Sequence, residues 1–338
     1  MLLWIEGFEG FGVTNNVAPS PANVMARKYT VASESDFLIV TGRYVGMALK
    51  LNAAGAYLQP ANLTVDQTMT VGLAYKTPLA ADLDFLTLYD GATRGINLRS
   101  TTAGELAVYR DNTQLAISSG LGLVANAWNY IELKVKCAVD GTYEVHVNGT
   151  QIASLTSASA NTRAGGHDFH TTFRLKAISG ESPIFDDVYC LDSTGARNTS
   201  FLGVKQVITR FPNGAGTTQW TPSAGSNYAC VDEDPSTDDA DYVSGQSGNL
   251  DLYAYSDVDT GVMNAGVAGI QINTELRHAG VAHNVSQQAK LSSTETGNVS
   301  QVAPAAYATI SRVLEQDPTA ADWTVANVNS TQFGVKVL

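Results

Sequence analysis

The side chains able to do chemistry in this chain are carboxylates, histidines and aromatic rings. Asp232, Asp234, Asp238, Asp239 and Asp241 crowd with Glu233 into one short stretch. Calcium takes roughly six to eight oxygen ligands, and a flexible acidic loop supplies several. The spacing lacks the central Gly and terminal Glu of the helical calcium loop, so a solvated acidic loop stands beside the metal reading. Asp186 is a further candidate ligand. His167 and His170 stand three apart, but no Cys or third His is close enough in sequence to complete a zinc site. Tyr44, Tyr57, Tyr89 and Trp220 lie near turns, where rings stack on sugar C–H faces; the same residue types also finish cores and interfaces. Asp82/Asp84 and Asp186/Asp187 are the nearest carboxylate pairs. Glycoside hydrolysis needs two carboxyls flanking one bond, and neighbouring strand residues face opposite ways. No G-x-S-x-G elbow occurs either. The expectation is a protein without catalytic residues.

The elements that must position these residues are strands. The clearest is Trp128–Gly149, where Ile131, Leu133, Val135 and Cys137 alternate with Glu132, Lys134 and Lys136. Asp140-Gly141 turns the chain, and Tyr143, Val145 and Val147 alternate back to a second turn at Asn148-Gly149. The same rhythm marks 68–75, 85–91, 96–100, 106–109, 114–118, 172–177 and 184–192, with 154–166 read as a polar surface loop. The chain's 338 residues suffice for two domains, and 44% hydrophobic with 15% charged residues is enough for a sizeable core. The boundaries expected are a sandwich over 1–192, a small polar linker over 193–200 and a smaller β-sandwich over 201–338. Strands are expected there at 204–211, 250–255, 266–277, 287–291, 306–314 and 333–337.

The net charge is −12, and no cluster of Lys and Arg is visible in the sequence, so a nucleic-acid partner is not expected. No apolar run is long enough for a membrane span or a signal peptide, so the expectation is a protein made and kept in a reducing cytoplasm. Cys137, Cys190 and Cys230 are read as small buried hydrophobes rather than a disulfide framework.

Two resemblances follow from these motifs. The hairpin, with W-N-Y-I-E-L-K-V and D-G-T-Y-E-V-H-V-N-G, resembles that of concanavalin A-like and laminin-G-like jelly rolls. The fold class implied is all-β, an N-terminal jelly roll followed by a second, smaller β-sandwich. In such folds a rim Asp, here Asp186, binds calcium or holds a turn. Glycanases of this fold carry E-x-D-x-E, which is absent here. The ordered segments Asp192–Gly203, Phe211–Gly216, Gln219–Tyr228, Val231–Val243 and Phe333–Val337 resemble a family of tailed-bacteriophage virion proteins. That resemblance implies a non-enzymatic tail or fibre protein, assembled in the host cytoplasm, located in the virion and docking on other phage structural proteins. A homo-oligomer is implied, with no cofactor other than calcium. The alternatives are an adhesin binding host-surface glycan through rim loops, or a capsid decoration or head-fibre protein.

Overall fold

The computed structural model describes residues 1–12, 25–32, 37–44, 46–120, 122–178, 180–233, 240–259 and 266–338. The chain falls into two compact units, Met1–Ile208 and Thr209–Leu338, and the described residues of both are almost wholly β.

The described residues of the first unit run through fifteen strands. They are β1 (Leu2–Glu6), β2 (Thr30–Ala32), β3 (Phe37–Thr41), β4 (Met47–Leu51), β5 (Tyr57–Gln59), β6 (Thr68–Lys76), β7 (Leu83–Asp90) and β8 (Thr93–Ser100), then β9 (Leu106–Arg110), β10 (Thr113–Ile117), β11 (Asn129–Lys136), β12 (Gly141–Val147), β13 (Thr150–Ala160), β14 (Thr172–Lys176) and β15 (Ile184–Asp192). The back sheet has the order β13-β12-β11-β6-β15-β4-β3, with β1 also on β15. The front sheet has the order β10-β9-β8-β7-β14-β5-β2. First and last strands therefore meet, Leu2 opposite Leu191, as a jelly roll requires.

Alternation explains the two layers. In the central hairpin Ile131, Leu133 and Val135 pair with Val147, Val145 and Tyr143. These six join Leu73, Tyr75, Phe85, Leu98, Val108, Phe173 and Phe185 in one buried core between the sheets. The second hairpin turn has both central residues at positive φ, Asn148 at 52° and Gly149 at 79°, the geometry that matches strand twist. Gly141 is needed for space instead, since a side chain there would collide with Lys136 and Thr162.

Three expectations are corrected. The segment read as a loop at 154–166 is largely β13. Its Ser, Thr and Ala residues are polar and small because it is the edge strand, mostly exposed along its length. The first unit ends at 208, not 192. Nor is 204–211 a strand; residues 200–208 form a strap across the outer surface of the back sheet. Lys134 donates to Ser200 Oγ at 3.1 Å, and the Phe201 ring stacks on His146 at 3.9 Å. The amides of Leu202, Gly203 and Val207 donate to Tyr189 Oη (3.1 Å), Glu132 Oε1 (2.9 Å) and Asp187 Oδ1 (2.7 Å). Arg43 donates to the Lys205 carbonyl at 2.6 Å. A small, polar composition hid a segment bound through its backbone.

The second unit holds β16 (Pro212–Thr218), β17 (Thr221–Pro222), β18 (Val243–Ser244), β19 (Leu250–Tyr255), β20 (Ile270–Leu276), β21 (Asn284–Leu291), β22 (Thr294–Glu295), β23 (Gln301–Val302), β24 (Ala308–Leu314) and β25 (Thr331–Val337). A sheet of order β16-β19-β25-β21-β22, with β23 on β21, packs against the β20–β24 ribbon. Ile272 and Leu314 from the ribbon meet Ala289 and Phe333 from the sheet around buried Trp323. A short helix, α1 (Val325–Ser330), precedes β25, and the Thr324 side chain caps it by accepting from Asn327 N at 3.1 Å. No described helix is long and apolar enough to cross a membrane.

Candidate functional site

The outward surface of the front sheet carries the densest set of functional side chains in the first unit. Core positions fix which residues face out. Leu58, Leu86, Leu88, Ile96, Leu98, Leu106, Val108, Phe173 and Leu175 point inward. Tyr57, Gln59, Thr87, Asn97, Arg99, Tyr109, Arg174 and Lys176 must therefore point outward. A bulge in β7 between Asp84 and Leu86 lets Phe85 and Leu86 both face inside while Asp84 stays outside, and an extra residue in β8 between Arg94 and Asn97 sets Arg94 opposite the outward Tyr89. The register then lines up Gln114, Tyr109, Asn97, Thr87 and Arg174 across five neighbouring strands.

Arg174 is the fixed point of this surface. Its guanidinium lies 4.2 Å from the Tyr57 ring centre and 4.3 Å from that of Tyr89. Nε donates to Gln59 Oε1 at 2.7 Å, and Nη1 donates to Tyr89 Oη at 3.3 Å. Stacking holds the plane of the cation without a carboxylate, so its remaining N–H groups are pre-aimed. Beside it, Asp84 takes both Arg99 and Arg94. Arg99 reaches it through Nε at 2.8 Å and Nη2 at 3.2 Å, and Arg94 through Nη2. Arg99 stacks on Tyr109 at 4.2 Å. Arg94 Nε donates to Asn97 Oδ1, whose amide donates to the Asp111 carbonyl at 2.7 Å. The Thr87 hydroxyl is buried beneath this layer with no hydrogen-bond partner.

His170 continues the outward positions of β14 and lies against Gly95 of β8, where a side chain would strike its ring. Both ring nitrogens are buried without partners. Burial pushes the imidazole down to about 4, against the pull of Asp90, so it is neutral at pH 7. His167 is turned to solvent instead, held through Nδ1 by Asp90 Oδ1 at 2.6 Å. The two histidines are thus in different settings and do not form a zinc pair. No group of three or more His, Cys, Asp or Glu able to hold a metal occurs among the described residues.

Of the four aromatic residues singled out by sequence, Tyr57 and Tyr89 converge on Arg174. Tyr44 does not join them; it is exposed after β3, under the Arg43 guanidinium at 4.4 Å. Trp220 belongs to the second unit, packed against Gly245 and the cluster of Leu276, Val285 and Val335. Among the acidic candidates, Asp234, Asp238 and Asp239 lie outside the described residues. Asp232 is exposed and Asp241 half-buried. Burial, and then the hydrogen bond to Asp241 and the charge there, raise the Glu233 carboxyl to about 7. Asp186 is buried and accepts from Arg43 N at 2.7 Å and Asp187 N at 2.8 Å, which fits the turn-holding role. Simple strand alternation does not hold at this pair. Asp187 has φ 50° in a β15 bulge, and Arg43 meets both residues: its amide reaches Asp186, its Nε lies 3.0 Å from Asp187 Oδ2.

Arg94, Arg99, Arg174, Lys176 and His170 were not singled out for this surface. Alternation marks Arg99 in β8 and Arg174 and Lys176 in β14, whereas Arg94, five residues before Arg99, reaches the same surface through the irregularity in β8, and only the strand order β8-β7-β14 makes the two runs neighbours.

No family model matches the chain, and no curated protein matches it. Solved structures do. An alginate lyase is 11% identical, with 56% of this chain and 96% of the other covered, at a TM-score of 0.40. An endo-β-1,4-glucuronan lyase from the fungus Trichoderma reesei is 11% identical over 48% and 89%, at 0.35. The binding domain of Paraclostridial Mosquitocidal Protein 1 is 14% identical over 56% and 48%, at 0.39. At such identity the likeness concerns the fold.

These findings correct the expectation of a non-enzymatic virion structural protein. The structures it resembles are polysaccharide lyases and a toxin's binding domain. The expectation of no catalysis also rests on missing carboxylate pairs, a requirement of glycoside hydrolysis.

Proposed function

We propose that the first unit binds a polysaccharide laid across the front sheet. The observation that carries this reading is Arg174 clamped between Tyr57 and Tyr89 beside Gln59, on an outward sheet surface whose neighbouring positions are Tyr, Asn, Thr and Arg. Rings offer flat apolar area at low entropic cost, and oriented N–H groups meet sugar oxygens. The side chains support this without any appeal to the lyases whose fold is similar. Affinity electrophoresis of the intact protein through gels cast with different polysaccharides tests it. Retardation is expected, and Tyr57→Ala or Arg174→Ala weakens it by about tenfold or more, equivalent to ~1.4 kcal/mol. Unretarded migration in every gel removes the reading.

His170 favours a second reading, in which the bound chain is also cleaved. A neutral imidazole with both nitrogens unspent, 1% exposed beneath this surface against Gly95, is a candidate for proton transfer to a chain that uncovers it. New chain ends released by the wild type and lost in His170→Gln support it. Unchanged polymer length after prolonged incubation counts against it.

A further inference from the structure

We infer that the polymer taken by the front sheet is anionic and carries carboxylates. This rests on the polysaccharide reading above and names the charge class of its ligand.

The chain as a whole is acidic, at −12, yet this surface is not. Arg94, Arg99, Arg174 and Lys176 project from β8 and β14; Asp84 is paired with the two β8 arginines, and the charge of Asp82 also reaches Arg99. Asp84 is already spent on Arg94 and Arg99. Among the described residues, neither Arg174 nor Lys176 has a carboxylate partner. The Lys176 ammonium is pushed down, by burial first and then by Arg94 and Arg174, with Asp84 opposing. Cations gathered this closely repel one another, and half-burial weakens the screening by water. Holding them together costs stability that Asp84, already shared by two arginines, returns only in part. A bound anion would return it.

Geometry narrows the anion. Arg174 is held flat by two rings, and a planar guanidinium with parallel N–H groups matches the two oxygens of a carboxylate. Strand β14 lies two strand spacings, about 10 Å, from β8. The basic side chains thus extend across three neighbouring strands, a strip along which a polymer can lay successive acid groups.

The test uses the intact protein with polygalacturonate and hyaluronate, each beside its methyl ester, and dextran sulfate beside dextran. The expected result is binding to the acids at least about tenfold tighter than to the esters, weakening as salt is added. Lys176→Gln, at a half-buried position, and Arg174→Gln remove that preference, while Lys176→Arg keeps it. Near-ultraviolet circular dichroism confirms that each variant is folded. Equal binding to acid and ester overturns the charge inference and leaves the polysaccharide reading standing. Binding to dextran sulfate but to neither polyuronate overturns the carboxylate assignment. Binding to none of the six polymers overturns both.

Discussion

At the residue scale, the sharpest dependence on pH comes from Asp186 and Asp187. Burial, and then the neighbouring Asp187 charge, raises Asp186 to about 7; burial raises Asp187 to about 6 against the pull of Arg43. The folded protein thus holds these protons more tightly than the unfolded chain. The stability linked to them is complete below the ordinary carboxyl value and is lost as pH rises through about 6 to 7. His170 acts in the opposite sense, its contribution present above 6.5 and lost as pH falls toward about 4. Melting temperature is therefore expected to fall between about pH 5 and 7, less steeply than the pair alone would give because His170 opposes it, and Asp187→Asn should reduce that fall. An unchanged slope in the variant would show that the pair is not responsible. A second residue-scale outcome concerns Gly72 in β6. The Tyr189 ring lies where its side chain would be, so Gly72→Ala forces the ring off Glu132 and Leu202. A loss of about 1–3 kcal/mol in a urea titration is expected.

At the scale of elements, the strap changes where the first unit can be cut. A chain ending at 192 leaves the Glu132 and Asp187 carboxylates without the amides of Gly203 and Val207. Buried charges that lose their donors are costly, so residues 1–208 should melt cooperatively and 1–192 should melt lower or aggregate. Phe201→Ala in the full chain removes the ring stacked on His146 and is expected to cost about 1 kcal/mol by thermal melting. The same element shows the limits of reading a sequence. Period-two alternation made β6, β11, β12 and β15 legible, and β19 was read to its ends, because each has one face that must be apolar. The strap has no such face; it is fixed by backbone amides, which every residue except proline carries. The basic surface was hidden for a different reason. Arg94 and Arg99 stand about 80 residues before Arg174 and Lys176, and pairing order is not a local property.

At the scale of the whole molecule, charge is divided unevenly. Residues 1–208 contain 18 acidic and 15 basic residues, and residues 209–338 contain 14 and five, so nine of the twelve net negative charges belong to the second unit. Added salt is therefore expected to act in two directions. It screens like-charge repulsion and raises the melting temperature of the second unit, while it weakens capture of an acidic polymer by the first. Differential scanning calorimetry and affinity electrophoresis over one salt series measure both, and parallel responses would contradict the assignment of the basic surface.

Residues 200–208 do more than lead from one unit to the next. A bare sandwich is two-sided, and adhesive flanks on both sides would let each molecule bridge two strands and set a solution into a gel. With that flank crossed by the molecule's own backbone, the first unit presents one open sheet surface to a long chain. Mixing should then give decorated filaments rather than a network.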